Sequence, residues 1–195
     1  MLEAIGSVRR VSFVPPAHAD RAYVDVPVPI PHGQVTTQPS LVARMVEALE
    51  LTGAERVLEV GTGYGWQTAI LASLARFVWS VERWPDLAEA ARLNLSGYGV
   101  GNVEVAAGDG TEGLREHAPY DAIVVSAAFP RVPPPLAEQL APGGRLVQPI
   151  GHGGDDEVVL FEHRNGTLRA RRRVSGAHFV PLVGRHGSAG GFSVA

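Results

Sequence analysis

The chain has no cysteine and no lysine. All 17 of its basic side chains are arginines. Without cysteine there is no thiol nucleophile, no disulfide and no cysteine-ligated zinc or iron–sulfur site. Without lysine there is no Schiff-base amine and no P-loop lysine for a phosphate. A positive excess is also lacking: 17 basic against 20 acidic residues give a net charge of −3, which argues against a general nucleic-acid binder. Apolar runs are only strand-length, and Met1 to Arg10 holds no continuous apolar stretch of the kind a secretory signal needs. A cytoplasmic protein with no membrane partner is expected. At 195 residues, 45% of them hydrophobic, the chain is long enough for one ordinary domain and its core.

What is present is strongly ordered. Residues 11–40 are rich in proline (Pro15, Pro16, Pro27, Pro29, Pro31 and Pro39), which disfavours a long helix or a central strand. The apolar load there (Phe13, Tyr23, Val24, Val26, Val28 and Ile30) suits packing on a domain rather than a solvated leader. Residues 1–40 are therefore read as an irregular segment, 41–150 as the core, and 151–195 as a hairpin and tail.

A helix opens at Pro39, with Leu41, Met45 and Leu49 on one face, and stops at Gly53. Strands follow at Arg56–Val60, Phe77–Val81, Val103–Ala106, Asp121–Ser126 and Arg145–Ile150. Helices are expected at Gln67–Leu74, from Pro85 to Gly97, and at Pro135–Leu140, with a turn at Pro142–Gly144. Asn165-Gly166 joins Glu157–His163 to Thr167–Val174 as a hairpin. The alternation predicts an α/β, Rossmann-like fold: a mostly parallel sheet with helices on both faces and a C-terminal antiparallel hairpin.

The chemistry concentrates after the first of these core strands, where Glu59, Gly61, Gly63 and Gly65 form E-x-G-x-G-x-G. Glycine permits the sharp turn and the close approach of a ligand. Doubly wound sheets bind nucleotides at that turn. Glu82 ends the second core strand, 21 positions after Gly61, where a carboxylate can accept both hydroxyls of a ribose. A dinucleotide site would use G-x-G-x-x-G and set a pyrophosphate on the helix. Here the spacing differs, and Glu59 would repel a pyrophosphate but favour a sulfonium or an amino group, directly or through water. The charge pattern therefore points to S-adenosylmethionine, with a nicotinamide cofactor as the competing reading.

Gly108-Asp109-Gly110 follows the third core strand, where Asp109 is a candidate acceptor for an adenine amine; a plain Asp-Gly turn explains it equally. Ser126 ends the fourth core strand at the expected crevice. Trp66 and Trp84 flank that region. Asp121 reads equally as a cap or a ligand. Arg171-Arg172-Arg173 reads as an outward charge on an edge strand. No histidine cluster suggests a metal.

Four stretches carry a resemblance to a known family. They are Ala22 to Gln34 (with Asp25, His32 and Gln34), Val35-Thr36-Thr37-Gln38-Pro39, Val57 to Gln67, and Phe179-Val180-Pro181-Leu182-Val183-Gly184. Together they are similar to the protein-L-isoaspartate O-methyltransferases, class I S-adenosylmethionine-dependent enzymes. The resemblance implies methyl transfer to the α-carboxylate of L-isoaspartyl residues in damaged proteins and peptides, leaving S-adenosylhomocysteine. The ester then closes to a succinimide whose hydrolysis partly restores aspartate.

The resemblance assigns the catalytic position to Thr37 and makes Asp25, His32, Gln34, Val180, Pro181 and Leu182 candidates for the substrate side; Asp25 reads equally as a turn cap, His32 as a loop histidine, Gln34 as a partner for backbone and Val180–Val183 as a plain edge strand. It assigns cofactor contacts to Thr36, Gln38, Glu59, Val60, Gly61, Thr62, Gly63, Gly65, Glu82, Arg83, Gly108, Asp109, Gly110 and Ser126. A monomer acting on isoaspartyl peptides and proteins is expected.

The chain departs from the family pattern at several points. Thr37 stands where the family usually has Ser, keeping the hydroxyl on a stiffer side chain. Val35 and Thr36 replace Thr and Ile, Pro31 replaces a common Gly, and His178 a common Arg. Thr37, His178 and the short stretch before the first signature motivate alternatives. One is a carboxyl methyltransferase with a dedicated peptide or small carboxylate in biosynthesis; another is a non-catalytic S-adenosylmethionine-binding protein.

Overall fold

The computed structural model describes residues 2–189. The last six residues of the expected tail lie outside them. Short helix α1 (Leu2–Ser7) leads into two 3-10 turns, Arg10–Phe13 and Pro16–Arg21. The proline-rich segment is thus less irregular than its composition suggests. It also folds strands β1 (Val28–Ile30) and β2 (Gln34–Thr36) into an antiparallel ribbon, with Val28 opposite Thr36 and Ile30 opposite Gln34. Pro29 has no N–H to give, and a two-stranded ribbon tolerates that on its open side. His32 and Gly33 turn the chain at φ of 62° and 65°.

The core then alternates α2 (Pro39–Ala48), β3 (Arg56–Val60), α3 (Trp66–Leu74), β4 (Phe77–Glu82), α4 (Pro85–Gly97), β5 (Val103–Ala107), β6 (Tyr120–Val125) and α5 (Pro134–Glu138). It ends in β7 (Leu140–Ile150), β8 (Asp156–Arg164) and β9 (Thr167–Ala177). The seven core strands form one sheet in the order β5-β4-β3-β6-β7-β8-β9. The first five run parallel, and β8 and β9 are antiparallel additions. The expected fold class is therefore the observed one.

One local expectation fails. Pro142–Gly144 is not a turn before a strand but part of β7, which already pairs at Leu140 with Tyr120. The pairing shifts register between Tyr120 and Ala122, and Gly143 takes a φ of 78°. A glycine that reads as a turn in sequence is a kink within a long strand.

Alternation along the strands builds two cores. Val57, Ala122 and Val124 face a cluster with Leu41, Met45, Ile70 and Leu95 of α2, α3 and α4. Leu58, Val60, Ile123 and Val125 face Trp79, Tyr120, Leu136 of α5 and Leu146. Both faces of the parallel strands are buried, which explains why their sequences are nearly continuous hydrophobic runs. No helix among the described residues is long and apolar enough to cross a membrane. At the opposite end from the glycine turn, Asp121 accepts the Arg56 amide at 2.8 Å and is a structural tie.

Candidate active site

The carboxyl ends of β3, β4 and β6 open into one cleft with two lobes. Strand order reverses at β3, between β4 and β6, so the chain ahead of α3 and the chain after β6 diverge and leave a crevice. The β1–β2 ribbon covers one side through Ile30, Gln34 and Val35, and the returning Phe179–Val183 segment covers another. The lobes share Gln34, Gly61, Glu82, Ser126 and Val180.

The turn after β3 needs its glycines. Gly61 sits at φ of 95°, and a Cβ there would lie 3.3 Å from the Ser126 Cβ across the crevice. Gly63 sits at φ of 55° and donates its N–H to Glu82 Oε2 at 2.8 Å. The other Glu82 oxygen accepts from the Trp84 amide at 3.1 Å. Both oxygens are thus oriented by backbone and keep lone pairs toward the cleft that Glu82 lines. Burial raises the Glu82 pKa against these bonds. A carboxylate in that condition gains from further O–H donors, which a ribose diol provides.

Glu59 is not in the cleft. It is fully buried, and its oxygens accept from Thr68 Oγ1 at 2.5 Å, Ser80 Oγ at 2.7 Å and Gln67 Nε2 at 3.0 Å. It shares the face of Val57, so the strand's alternation aims it at α3 rather than off the strand end. Burial pushes its carboxyl up to about 7 despite the three donors, with the charge of Glu82 adding to the rise. Glu59 braces the glycine turn from behind, and Gln67 carries the contact forward: the same Nε2 donates to Ser126 Oγ at 3.0 Å, and both Gln67 and Ser126 line the cleft.

Asp109 is turned elsewhere too. It accepts from Thr111 through the amide (2.9 Å) and hydroxyl (2.7 Å), and from the Arg185 amide (2.7 Å). Its partial burial would raise the pKa, but these donors lower it on balance. A Cβ on Gly184 would lie 2.0 Å from Asp109 Oδ1, so the C-terminal segment packs directly on the carboxylate. Gly110 lines the cleft, whereas Gly108 pairs its N–H with the Glu82 carbonyl and does not.

Other expected contacts divide the same way. Val60, Gly61, Thr62, Gly63, Glu82, Arg83, Gly110 and Ser126 line the cleft, as do Thr36, Thr37, Gln34, Val180, Pro181 and Leu182. Gly65 serves instead as the left-handed N-cap of α3, and Gln38 as the N-cap of α2. Asp25 is exposed and accepts the Ser40 amide of α2 at 2.9 Å, supplying the helix acceptor that Gln38 does not. His32 stacks on Trp84 at 4.0 Å between centroids and bonds Asp86 at 2.8 Å, pinning the ribbon to α4.

Thr36 has its hydroxyl engaged by Arg10, at 2.9 Å. The Thr37 hydroxyl has no hydrogen bond among the described residues. Val180 and Leu182 pair their backbone with Ala128, so one edge of that segment is already used.

The model of the protein-L-isoaspartate (D-aspartate) O-methyltransferases matches residues 1–187. The chain belongs to this family. Among its relatives, a protein-L-isoaspartate O-methyltransferase of Methanoculleus marisnigri is 48% identical over 187 residues, covering 96% of this chain and 84% of that one. Another, of Anaeromyxobacter dehalogenans, is 50% identical over 185 residues, covering 94% and 88%.

A solved protein-L-isoaspartate O-methyltransferase superposes with a TM-score of 0.84 at 28% identity over 95% of this chain. This chain spans 61% of that one's length. The same fold is found in a Plasmodium falciparum protein solved in complex with S-adenosyl-L-homocysteine (TM-score 0.77, 24% identity, covering 93% of this chain and 88% of that one).

Sequence reading of the family motifs missed three groups that build the site. Ile30, Leu87 and Phe179 give the cleft its apolar walls. Thr68 and Ser80 satisfy Glu59. Asp156, buried, accepts the amides of Gly153, Gly154 and Phe179 at 3.0–3.1 Å and so steers the C-terminal segment back to the cleft. The glycines around Asp155-Asp156 were the one available cue, since an acid in such a loop commonly gathers backbone amides.

Proposed function

We propose that this protein transfers a methyl group from S-adenosylmethionine to the α-carboxylate of L-isoaspartyl residues in damaged proteins and peptides. The observation that carries the reading is a convergence. The glycine turn and Glu82 of the core, and Thr37 and Gln34 of the N-terminal ribbon, line the same lobe.

The residues present fit the cofactor. Gly61 leaves open the place a Cβ would fill, and Glu82 offers two oriented oxygens for a ribose. Gly61, Gly63, Glu82, Val60, Gly110 and Ser126 would hold it. When bound, it supplies an electrophilic methyl on a cationic sulfur. The chain's own residues then have a limited task. A carboxylate of pKa about 4 is already ionised at neutral pH, so no general base is required.

Thr37 offers a hydroxyl that donates to one carboxylate oxygen and leaves the other free to attack. Gln34 flanks it, with its Nε2 held by the His32 carbonyl at 3.0 Å. Ile30, Val35, Val42, Leu87 and Phe179 give the lobe apolar walls. Alignment of two bound partners can supply several kcal/mol of the barrier, which suits a transfer that requires no base and no covalent intermediate.

The test is incorporation of labelled methyl from S-adenosylmethionine into a peptide with one L-isoaspartyl linkage, beside the same peptide with normal aspartate. Labelling of the isoaspartyl peptide alone is expected. Equal labelling of both, or of neither, overturns the reading. A second arm is Glu82→Ala, for which calorimetry is expected to show cofactor affinity weakened by about tenfold or more, as for loss of hydrogen bonds to a charged group.

A further inference from the structure

Arg10 lies at 1% exposure, and no motif marks it. Its guanidinium carbon sits 5.2 Å from the centre of the Trp66 ring, at the start of α3. Nη1 donates to the carbonyls of Ala22 (3.1 Å) and Val24 (3.3 Å). The two N–H groups of Nη2 point to the Thr36 hydroxyl (2.9 Å) and the Thr37 carbonyl (3.0 Å) and are shared at longer range with the carbonyls of Val26 (3.3 Å) and Thr36 (3.4 Å), while Nε has no partner among the described residues. Among the described residues no carboxylate forms a salt bridge with it. Its positive charge is met by carbonyl dipoles, and burial lowers its pKa to about 10.

Such a group is costly to bury, and an apolar residue would fill the same space at less cost. What an apolar residue lacks is a planar fork, whose two Nη groups here reach carbonyls of separate segments. The Ala22–Val26 run belongs to no helix or strand ladder, so among the described residues the carbonyls of Ala22 and Val26 have their partner only in Arg10, while that of Val24 also accepts the Val26 amide at 2.8 Å. The same fork reaches the end of β2 and holds the Thr36 side chain inward. The next residue is Thr37. Its carbonyl is gripped by Arg10, while the residue lines the cleft and its hydroxyl is unengaged among the described residues. Trp66 closes the circuit, since its indole donates to the Val8 carbonyl at 3.1 Å and it lines the same lobe.

We propose that Arg10 is the positioning residue of the reaction: it registers the Thr37 backbone against the cofactor-side helix, and so sets the distance between the substrate carboxylate and the methyl group. This rests on the methyl-transfer reading above. Lysine keeps the charge but presents its donors from one point and cannot span carbonyls of separate segments.

The experiment compares wild type, Arg10→Lys and Thr36→Val, the last deleting a single Arg10 bond at nearly constant shape. Each is measured for thermal melting, S-adenosylhomocysteine affinity by calorimetry, and kcat and KM on an isoaspartyl peptide well below the melting transition. For Arg10→Lys, kcat is expected to fall by about thirtyfold while S-adenosylhomocysteine affinity stays within about threefold, because small misplacements of reacting groups cost up to about a hundredfold. For Thr36→Val, about a threefold to tenfold fall in kcat is expected at little change in melting temperature.

A purely structural arginine predicts a lower melting temperature with kcat and KM of the folded protein unchanged, and that result overturns the proposal. Should Arg10→Lys fail to fold, Thr36→Val decides alone, unchanged kcat refuting the proposal. Absence of turnover by the wild type overturns the isoaspartyl reading itself, and this inference with it.

Discussion

Replacing Glu59 by glutamine is expected to flatten the dependence of stability on pH. Burial pushes the folded carboxyl up to about 7, from an ordinary glutamate value of 4.5. Between those values the folded state holds a proton that the unfolded chain has released. Stability therefore falls as pH rises: the contribution is fully present below about pH 4.5 and is lost as pH passes through about 7. A difference of about 2.5 in pKa corresponds to roughly 3 kcal/mol, most of it spent between pH 5 and pH 8.

Glutamine mimics the protonated form. Its carbonyl oxygen accepts from Thr68 and Ser80 as Glu59 does now. Gln67 has a buried Oε1 without a partner, so turning its amide over provides an acceptor for the new N–H. Urea unfolding at pH 5 and pH 8 reads the effect. With a slope of about 2 kcal/mol/M, the wild-type midpoint is expected to drop by about 1 M more than that of Glu59→Gln. Other titrating groups are common to both proteins, and Glu82 differs only by the small coupling its charge has to Glu59. Equal pH dependence in the two would refute the assignment of a raised, desolvated carboxyl to Glu59.

Three further outcomes follow from single contacts. Asp156→Ala leaves the amides of Gly153, Gly154 and Phe179 without their acceptor, and a loss of about 3 kcal/mol in urea unfolding is expected, with weaker cofactor binding as the Phe179 segment loosens. Gly61→Ala sets a Cβ at a φ of 95° and 3.3 Å from Ser126; calorimetry should show cofactor binding reduced by about tenfold or more, with stability lowered by about 1 kcal/mol. Thr37→Ser should retain methyl transfer within a few-fold, since the hydroxyl persists, while Thr37→Val should lower kcat/KM by about tenfold or more in the peptide assay, as for a lost hydrogen bond to a charged group.

Much of the fold could be read from the chain. The runs at Arg56–Val60, Phe77–Val81 and Asp121–Ser126 announce themselves as strands because parallel strands buried on both faces tolerate little polarity. Pro39 and Pro85 mark helix starts because proline is acceptable only where its missing N–H would be unpaired anyway. The glycines at 61 and 63 are legible because positive φ restricts residue choice locally.

What the chain could not declare is direction and partnership between distant segments. Glu59 and Glu82 read alike as acids near strand ends. Glu59 is aimed at Thr68 and Ser80, and Glu82 at the cleft. Asp109 reads equally as a ligand acceptor or a plain turn, and it accepts the Arg185 amide, 76 positions later. Asp25 reads equally as a substrate group or a cap, and it caps a helix, while Arg10 reads as nothing and gathers carbonyls from residues 22 to 37.

Composition, periodicity and local turns are properties of neighbours in sequence, and the sequence by itself determined the sheet, its order of elements and the glycine turn. Which polar side chain faces a ligand and which satisfies another segment's backbone depends on who else arrives at that point. Only the tertiary structure decided it, because a buried polar group must be paired by whatever the fold brings within hydrogen-bond reach.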